Sequence, residues 1–151
     1  MNAITDFGLS LKRPAVFLPW DLAEADFLKI CGDSVQDQGN GVYLLEAEAE
    51  GLPFVHSVVF SFRSKLQELY LCSKSKMYAP SFEEIGGSFY EREGILESLL
   101  GRPSNKCLIK ELWYRSHQER IVYKWKLKKV LIVHQLWDRF GFEEHLTIKV
   151  R

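Results

Sequence analysis

The segment 80–103 constrains the fold most strongly, because it carries the signals for both ends of one amphipathic helix. Ser81 stands three residues before Glu84, which is the spacing of a capping box. Gly101 can close a helix in a left-handed conformation, and Pro103 prevents its continuation. Apolar residues recur between these ends at helical spacing, namely Phe82, Ile85, Phe89, Leu96, Leu99 and Leu100. The sequence therefore predicts a helix over 81–100.

A shorter helix is predicted nearer the N-terminus. Asp21 precedes an amphipathic run, Glu24 lies three residues later, and Gly32 provides a stop signal. These signals predict a helix over 21–31. The segment 33–41 that follows is rich in polar residues and glycine, which is typical of a loop.

Alternating sequence fills the chain between and after the two helices, and a period of two residues is typical of strands. In the first half the predicted strands are 41–50, 54–62 and 66–72. In the second half they are 107–115, 120–137 and 142–150, with a turn at 116–119.

The long segment 120–137 changes its apolar phase by one residue near Lys128 and Lys129. No Gly, Pro, Asn or Asp marks a turn at this point. We therefore expect one bent strand, in which a β-bulge inserts a residue and restores the inward face. A hairpin at the two lysines is the alternative.

The order of helix and three strands, occurring twice, predicts a single α+β domain over 1–151. Its halves, 20–79 and 80–151, represent either an old duplication or a convergent pattern. A curved antiparallel sheet of about six strands, with both helices packed on one face, would bury both apolar stripes in one core. The predicted core residues are Phe60, Phe62, Phe89, Leu96, Trp125, Ile132 and Ile148.

Composition narrows the class of protein. Lys plus Arg and Asp plus Glu each number 20, and this balance argues against general nucleic-acid binding, which favours a basic excess. No apolar run is long enough to span a membrane, and the first residues do not resemble a signal peptide. Cys31, Cys72 and Cys107 are far apart and form no CxxC pair, which favours reduced thiols in a cytosolic protein. We expect neither a metal nor a cofactor.

The register between the last two strands decides whether His134 and His145 could share a metal. A turn over 138–141 that uses Gly141 as its bulge residue sets His134 against Leu146. His145 then faces the other side of the sheet, so the register argues against a histidine metal site.

Two rows of charge follow strand alternation. Glu46, Glu48 and Glu50 lie on one side of their strand and form either a solvated face or an acidic patch for a basic partner. A basic row consists of Lys124, Lys126, Lys128 and Lys129. Lysines of this kind keep exposed strands from aggregating, and phosphate binding is the alternative.

Three segments carry a family resemblance: 54–71 (FVHSVVFSFRSKLQELYL), 81–104 (SFEEIGGSFYEREGILESLLGRPS) and 136–150 (LWDRFGFEEHLTIKV). Together they resemble small cytosolic immunity proteins that accompany bacterial polymorphic or contact-dependent toxins. The tandem layout of helix and three strands is also similar to β-lactamase-inhibitor-protein-like modules.

The resemblance implies a cytoplasmic protein without enzymatic activity that binds and neutralises one cognate toxin domain. Many toxin domains act on nucleic acids through basic clefts, which an acidic strand could cover. The candidate contacts are five acids on one loop and the strand it feeds, namely Asp33, Asp37, Glu46, Glu48 and Glu50. The alternatives are a small ligand-binding protein or enzyme with a pocket in the curved sheet, and a structural or adaptor module.

Overall fold

The computed structural model describes residues 2–73, 77–113, 116–138 and 141–151, and two helices lie in these ranges. Helix α1 spans Glu24–Cys31 and helix α2 spans Phe82–Leu100. The strands are β1 (Gly8–Arg13), β2 (Val16–Pro19), β3 (Val35–Gly39), β4 (Val42–Glu46), β5 (Glu48–Ala49), β6 (Val55–Arg63), β7 (Lys65–Ser73), β8 (Tyr78–Ala79), β9 (Asn105–Trp113), β10 (Ser116–Lys126), β11 (Val130–Asp138) and β12 (Phe142–Val150).

The fold is α+β with antiparallel pairing, as predicted, but its main sheet is larger than the expected six strands. Within the described ranges this open sheet has nine strands, in the order β3-β4-β6-β7-β12-β11-β10-β9, with β8 paired to β12. Strands β2, β1 and β5 form a separate three-stranded sheet. The excess over six in the main sheet has three sources: the polar segment 33–41 pairs as β3, the predicted strand 120–137 is split into β10 and β11, and the short strand β8 pairs with β12.

The main sheet is built from two similar halves. Each helix is followed by a meander of four sheet strands, β3-β4-β6-β7 after α1 and β9-β10-β11-β12 after α2. The last strands of the two meanders pair with each other where Glu68–Tyr70 meets Thr147–Lys149. Segment 33–41, predicted as a loop, contributes edge strand β3 and a tight turn with Asn40 at φ 55°. Duplication of the halves stays a prediction.

One row of residues forms the centre of the core across six neighbouring strands. The pairings place these residues side by side: Tyr43, Phe60, Leu69, Ile148, Ile132 and Trp125. All six are buried, and so are Phe62, Phe89 and Leu96. The predicted core is therefore confirmed.

Both helices cover the face that carries this row. The Phe27 ring of α1 lies 4.8 Å from the Phe60 ring. The Phe89 ring of α2 stacks at 4.3 Å on His134, which is two residues from Ile132 and so shares its face. The expectation of two helices on one face is confirmed. Neither helix in the described ranges is both long and apolar enough to cross a membrane.

The helix ends were predicted unevenly. Helix α2 begins after Ser81 and ends at Gly101, whose φ is 78°, as expected. Its Ser81 hydroxyl makes no bond to the helix backbone, however, and Phe82 is 43% exposed. Helix α1 begins at Glu24 rather than Asp21, because the preceding residues pair elsewhere. The Leu22 carbonyl, for example, accepts a bond from the Leu66 amide of β7, and Ala23 forms a bridge with Lys65.

The bent strand predicted over 120–137 is wrong, and the alternative hairpin is correct. Strands β10 and β11 pair antiparallel from Glu119 with Asp138 to Lys126 with Leu131. The Leu127 amide donates to the Val130 carbonyl at 2.9 Å and closes the turn. The change of apolar phase near Lys128 and Lys129, which suggested a bulge, marks the place where the chain passes from β10 to β11. Segment 116–119, predicted as a turn, instead begins β10, whose Ser116 pairs with Trp113 of β9, and residues 114 and 115 of the predicted strand 107–115 lie outside the described residues.

The strand predicted over 41–50 is divided between two sheets. The Ala47 amide still donates to the His56 carbonyl of β6, at 3.0 Å. Glu48 then pairs with Arg13 of β1 in the smaller sheet. Ala47 and Ala49 are both buried while Glu46 is exposed, so the predicted alternation survives the change of partner.

Candidate functional site

The five predicted contact acids do not form one continuous surface. Asp33 and Asp37 are exposed near β3, and the Asp37 carboxylate accepts a 2.8 Å bond from the Gly39 amide. Glu46 is exposed at the end of β4, and Glu48 lies 3.4 Å from Arg13. Glu50 is partly buried beyond β5.

Glu46 and Glu48 do share a cleft where the two sheets meet. The cleft has a volume of about 720 Å³, and Arg13 and His56 also line it. The His56 ring contacts the Cys72 carbonyl at 3.0 Å through Nδ1, which holds the imidazole against β7. The Arg13 and Glu48 side chains are 74% and 46% exposed, so this ion pair contributes little to stability and both charges stay accessible.

The sheet face opposite the helices is a second candidate. Residues that alternate with the buried core row point to it, and one row across it is Leu44, Val59, Tyr70, Thr147, Val133 and Lys124. We call this the helix-free face. It is defined by Glu46, Val59, Glu68, Tyr70, Arg120, Lys124, Lys126, Val133, Gln135, Trp137, Glu143, His145, Thr147 and Lys149.

The helix-free face carries aromatic side chains among charges of both signs. Tyr70 is 38% exposed, and burial of its remainder raises the pKa of its hydroxyl. The Arg120 guanidinium lies over the Trp137 ring, 4.9 Å from its centre. Lys149 approaches Glu68 at 4.0 Å.

The predicted basic row is divided by the hairpin. Lys124 and Lys126 lie on the helix-free face of β10, whereas Lys128 and Lys129 lie in the turn that follows. The Lys128 amide donates to the Asp6 carboxylate at 3.1 Å, which ties this turn to the N-terminal segment.

A cluster of four charged or titratable side chains lies buried between α2 and the sheet. We call Arg92, Glu93, His134 and Glu144 the buried charge cluster; each residue is at most 5% exposed. Arg92 contacts one carboxylate oxygen of Glu144, and His134 Nε2 lies 2.9 Å from the other. His134 Nδ1 lies 2.6 Å from Glu93 Oε2. The imidazole therefore bridges a helix carboxylate and a strand carboxylate.

Apolar contacts fix the orientation of this cluster. Phe89, one turn before Glu93, stacks on the His134 ring with an angle of 25° between the planes. The Arg92 guanidinium lies 5.9 Å from the centre of the Phe54 ring. The imidazole consequently has both a fixed plane and a hydrogen-bond partner at each nitrogen.

Burial and charge act in opposite directions on His134. Burial lowers the pKa of the imidazole because the charged form loses its hydration. The hydrogen bonds and charges of Glu144 and Glu93 raise it, and together they prevail, so the pKa lies above its ordinary value.

The histidines are arranged as the register argument predicted. His134 pairs with Leu146 and faces the helices, whereas His145 pairs with Gln135 on the other face. Gly141 has φ 128°, and residues 139 and 140 of the predicted turn lie outside the described residues. Among the described residues, no group of three His, Cys, Asp or Glu side chains has the geometry to hold a metal ion.

Sequence reasoning did not identify the buried charge cluster, although a signal was present. Arg92 and Glu93 occupy the apolar stripe of α2 between Phe89 and Leu96. Glu144 likewise stands in the inward phase of its strand. Charged residues at positions that the pattern assigns to the core indicate buried ion pairs, because an unpaired charge there would be too costly.

Comparison with family models, curated proteins and solved structures finds no match, so the residues of this chain alone carry the functional argument.

Proposed function

We propose that this chain is a binding protein that holds one partner protein against its helix-free face, and that the partner is a toxin domain which it neutralises. The observation that supports binding is the chemistry of that face. Tyr, Trp and Arg are enriched among residues that dominate binding energy, and Tyr70, Trp137 and Arg120 lie there together. The toxin as partner rests on the resemblance to immunity proteins.

The acidic residues extend the proposed contact to the edge of the sheet. Glu46 belongs to the helix-free face, and Glu48 shares the adjoining cleft. A basic surface on the partner would meet Glu46, Glu48 and Glu50 first, and Asp33 would follow, whereas Asp37 pairs with Tyr43 and so faces the helix side. Charge pairs of this kind raise the association rate and set specificity, and added salt weakens them. The protein itself needs no chemistry for this role, and we place it in the cytoplasm, where a resident toxin would act.

The first experiment tests the toxin. Each open reading frame that neighbours the gene for this chain is expressed with and without it, and growth and complex stoichiometry are measured. We expect arrested growth with the toxin alone, restored growth with both proteins, and a one-to-one complex. Arrest in both cultures, with no complex, would contradict the function.

The second experiment tests the face. After circular dichroism has confirmed folding, affinity is measured for Tyr70→Ala and Trp137→Ala, which we expect to cost at least about 2 kcal/mol each if they are central contacts. The matched control is Tyr90→Ala on α2, whose tyrosine is 46% exposed on the helix side. Equal losses at Tyr70 and Tyr90 would show that the partner does not distinguish the two sides.

The third experiment tests the acids by charge reversal. The triple variant Glu46/Glu48/Glu50→Lys should lose several kcal/mol of affinity, with the largest loss at low salt. The control reverses the exposed α2 acids, as Glu83/Glu91/Glu97→Lys. Unchanged binding of the first variant at low salt would show that these acids form only a solvated face.

A groove in the main sheet favours ligand binding as a second candidate function. Strands β7 and β12 pair only over Glu68–Tyr70, and beyond this the sheet opens into a groove of about 580 Å³. Its lining is mainly apolar and includes Leu71, Met77 and Leu146. A volume of this size can accommodate a small molecule. A change in the chemical shift of the Met77 methyl group when a small apolar ligand is added, without any protein partner, would favour this function.

A further inference from the structure

The two carboxylates of the buried charge cluster differ in the number of cationic side chains that contact them. Glu144 has two partners, because Arg92 contacts one oxygen and His134 the other. Glu93 has a bond only to His134, through Oε2, and its Oε1 is buried without a hydrogen-bond partner among the described residues. The charge of Glu93 therefore depends on the imidazole alone.

The bridging geometry requires a proton on each ring nitrogen. A neutral imidazole donates from one nitrogen only, and its other nitrogen is an acceptor that repels a carboxylate oxygen. Both nitrogens of His134 lie within 2.9 Å of a carboxylate oxygen. With the imidazolium, the cluster holds two positive and two negative charges. Without that proton, it would hold one uncompensated negative charge in the core, which is unfavourable.

We propose that the buried charge cluster is a proton-dependent clamp, in which the imidazolium of His134 ties Glu93 of α2 to Glu144 of β12, and loss of the ring proton to solvent frees Glu93 and loosens α2 from the sheet. Helix α2 meets β11 and β12 at this cluster, so the tie spans two layers of the fold. The device operates above pH 6.5, the ordinary pKa of an imidazole.

The groups around His134 support this direction. Arg92 and Glu93 face it from α2, and Glu144 faces it from β12. From β10, Tyr123 pairs directly with it, and burial raises the pKa of that phenol, so it stays neutral where the imidazole titrates. From β9, the Lys106 ammonium lies 5.3 Å from the centre of the Tyr123 ring, on the far side of Tyr123 in the order of strands.

The sign of the pH dependence follows from proton linkage. The folded-state pKa of His134 lies above its unfolded value of 6.5. Its contribution to stability is therefore complete below about pH 6.5 and is lost as pH rises through the raised pKa. In that window, uptake of one proton on folding makes the unfolding equilibrium constant increase about tenfold per pH unit. Stability must be measured at pH values below 9.0, because ionisation of the buried Cys31 thiol adds its own pH dependence above that value.

The test compares Glu93→Gln with the parent and with Glu91→Gln, a matched control on the exposed side of α2. The side-chain amide that Glu93→Gln introduces can donate to Nδ1 of a neutral His134 whose Nε2–H still donates to Glu144, so this variant keeps its hydrogen bonds without the extra proton. Urea denaturation is measured from about pH 6.5 to about 8.5. We expect the unfolding equilibrium constant to rise with pH in the parent and in Glu91→Gln, by at most about tenfold per pH unit, and a flat profile in Glu93→Gln.

A direct readout does not depend on stability. Nitrogen-15 chemical shifts of the histidine rings, assigned by elimination through Gln variants of the other three histidines, report the protonation of each nitrogen. We expect both nitrogens of His134 to be protonated in the parent at about pH 6.5 and only Nε2 in Glu93→Gln. Hydrogen exchange of α2 amides should accelerate with pH beyond the intrinsic rate in the parent and in Glu91→Gln, but not in Glu93→Gln. A neutral His134 in the parent at about pH 6.5, or equal slopes in all three proteins, would overturn the proposal.

Discussion

Helices α1 and α2 pack on the same face of one sheet, but different chemistry holds each of them. Helix α1 inserts Phe27 among aromatic rings, 4.8 Å from Phe60, 4.9 Å from Phe62 and 5.7 Å from Tyr43. Helix α2 adds the buried charge cluster to the apolar contacts of Phe89 and Leu96. Apolar contacts are non-directional and insensitive to pH, whereas buried ion pairs require one geometry and one protonation state. The same architecture thus has one tolerant half and one demanding half.

The polar contact of α1 with the sheet, between Glu24 and Tyr43, also differs from the buried charge cluster of α2. The Tyr43 hydroxyl donates to Glu24 Oε1 at 2.6 Å. This bond, aided by burial and the charge of Glu24, raises the pKa of Tyr43 to about 12. A neutral phenol donor leaves no buried charge to balance, so α1 does not depend on protonation near neutral pH.

The largest effect is expected when the demanding half loses a charge. Arg92→Met removes one of two cations and leaves the buried carboxylates of Glu93 and Glu144 with one between them. We expect a loss in the upper part of about 3–5 kcal/mol of unfolding free energy, measured by urea denaturation. The control replaces all four residues of the buried charge cluster by Met or Leu. If that apolar variant is as unstable as Arg92→Met, loss of packing rather than an unpaired charge explains the effect.

The tolerant half should respond strongly to loss of volume but not to pH. Phe27→Ala removes a fully buried ring, which costs toward the lower end of about 3–5 kcal/mol. Because α1 has no buried ion pair, this loss should be the same at about pH 6.5 and about pH 8.5. If the loss of unfolding free energy caused by Phe27→Ala differed between the two pH values, the distinction between the two helices would be wrong.

A purely apolar substitution in α2 isolates packing from charge. Leu96 is fully buried, one turn beyond Glu93. Leu96→Ala should cost about 2–5 kcal/mol, in the lower half of the range, because the partly buried Leu99 and Leu100 can move toward the space. A loss below about 0.5 kcal/mol would mean that the inward face of α2 is assigned wrongly.

The smallest effect is expected at the polar contact of α1. Tyr43→Phe removes only the hydroxyl that donates to Glu24 and keeps the ring beside Phe27 and Phe62. The denaturation midpoint should fall less than in any of the three variants above, equally at all pH values near neutrality. A fall as large as that of Arg92→Met would show that α1 also depends on a demanding polar contact.

Periodicity predicted which side of each element faces inward, and it did so well. The burial of Ile85, Phe89 and Leu96 in α2 and the inward phase of β11 and β12 were expected from the sequence, as was the pairing of His134 with Leu146. Pairing partners were harder to predict. Segment 33–41 has no apolar side, yet it pairs as an edge strand because backbone bonds do not require one. The hairpin at Lys128 lacked the usual turn residues, so its phase slip was ascribed to a bulge.

The acids and the buried charge cluster show the same limit at the level of the site. Glu46 and Glu48 alternate as one strand in sequence, yet they belong to different sheets, because alternation is unchanged when a strand changes its neighbour. Arg92 and His134 are 42 positions apart in the printed sequence. Nothing local indicates that a helix and two strands bring them onto the same carboxylate.

The sequence by itself determined where α2 ends, close to where it begins, and which apolar side chains face inward, because glycine closure and period are set by residues within a few positions of one another. The tertiary structure decided which strands pair, how many join the sheet, and that Arg92, Glu93, His134 and Glu144 meet. Strand pairing and burial depend on contacts between surfaces whose residues are distant from one another in the sequence. A charged residue in an apolar phase is tolerated only when another element supplies its partner, and that partner is known only after the layers have packed.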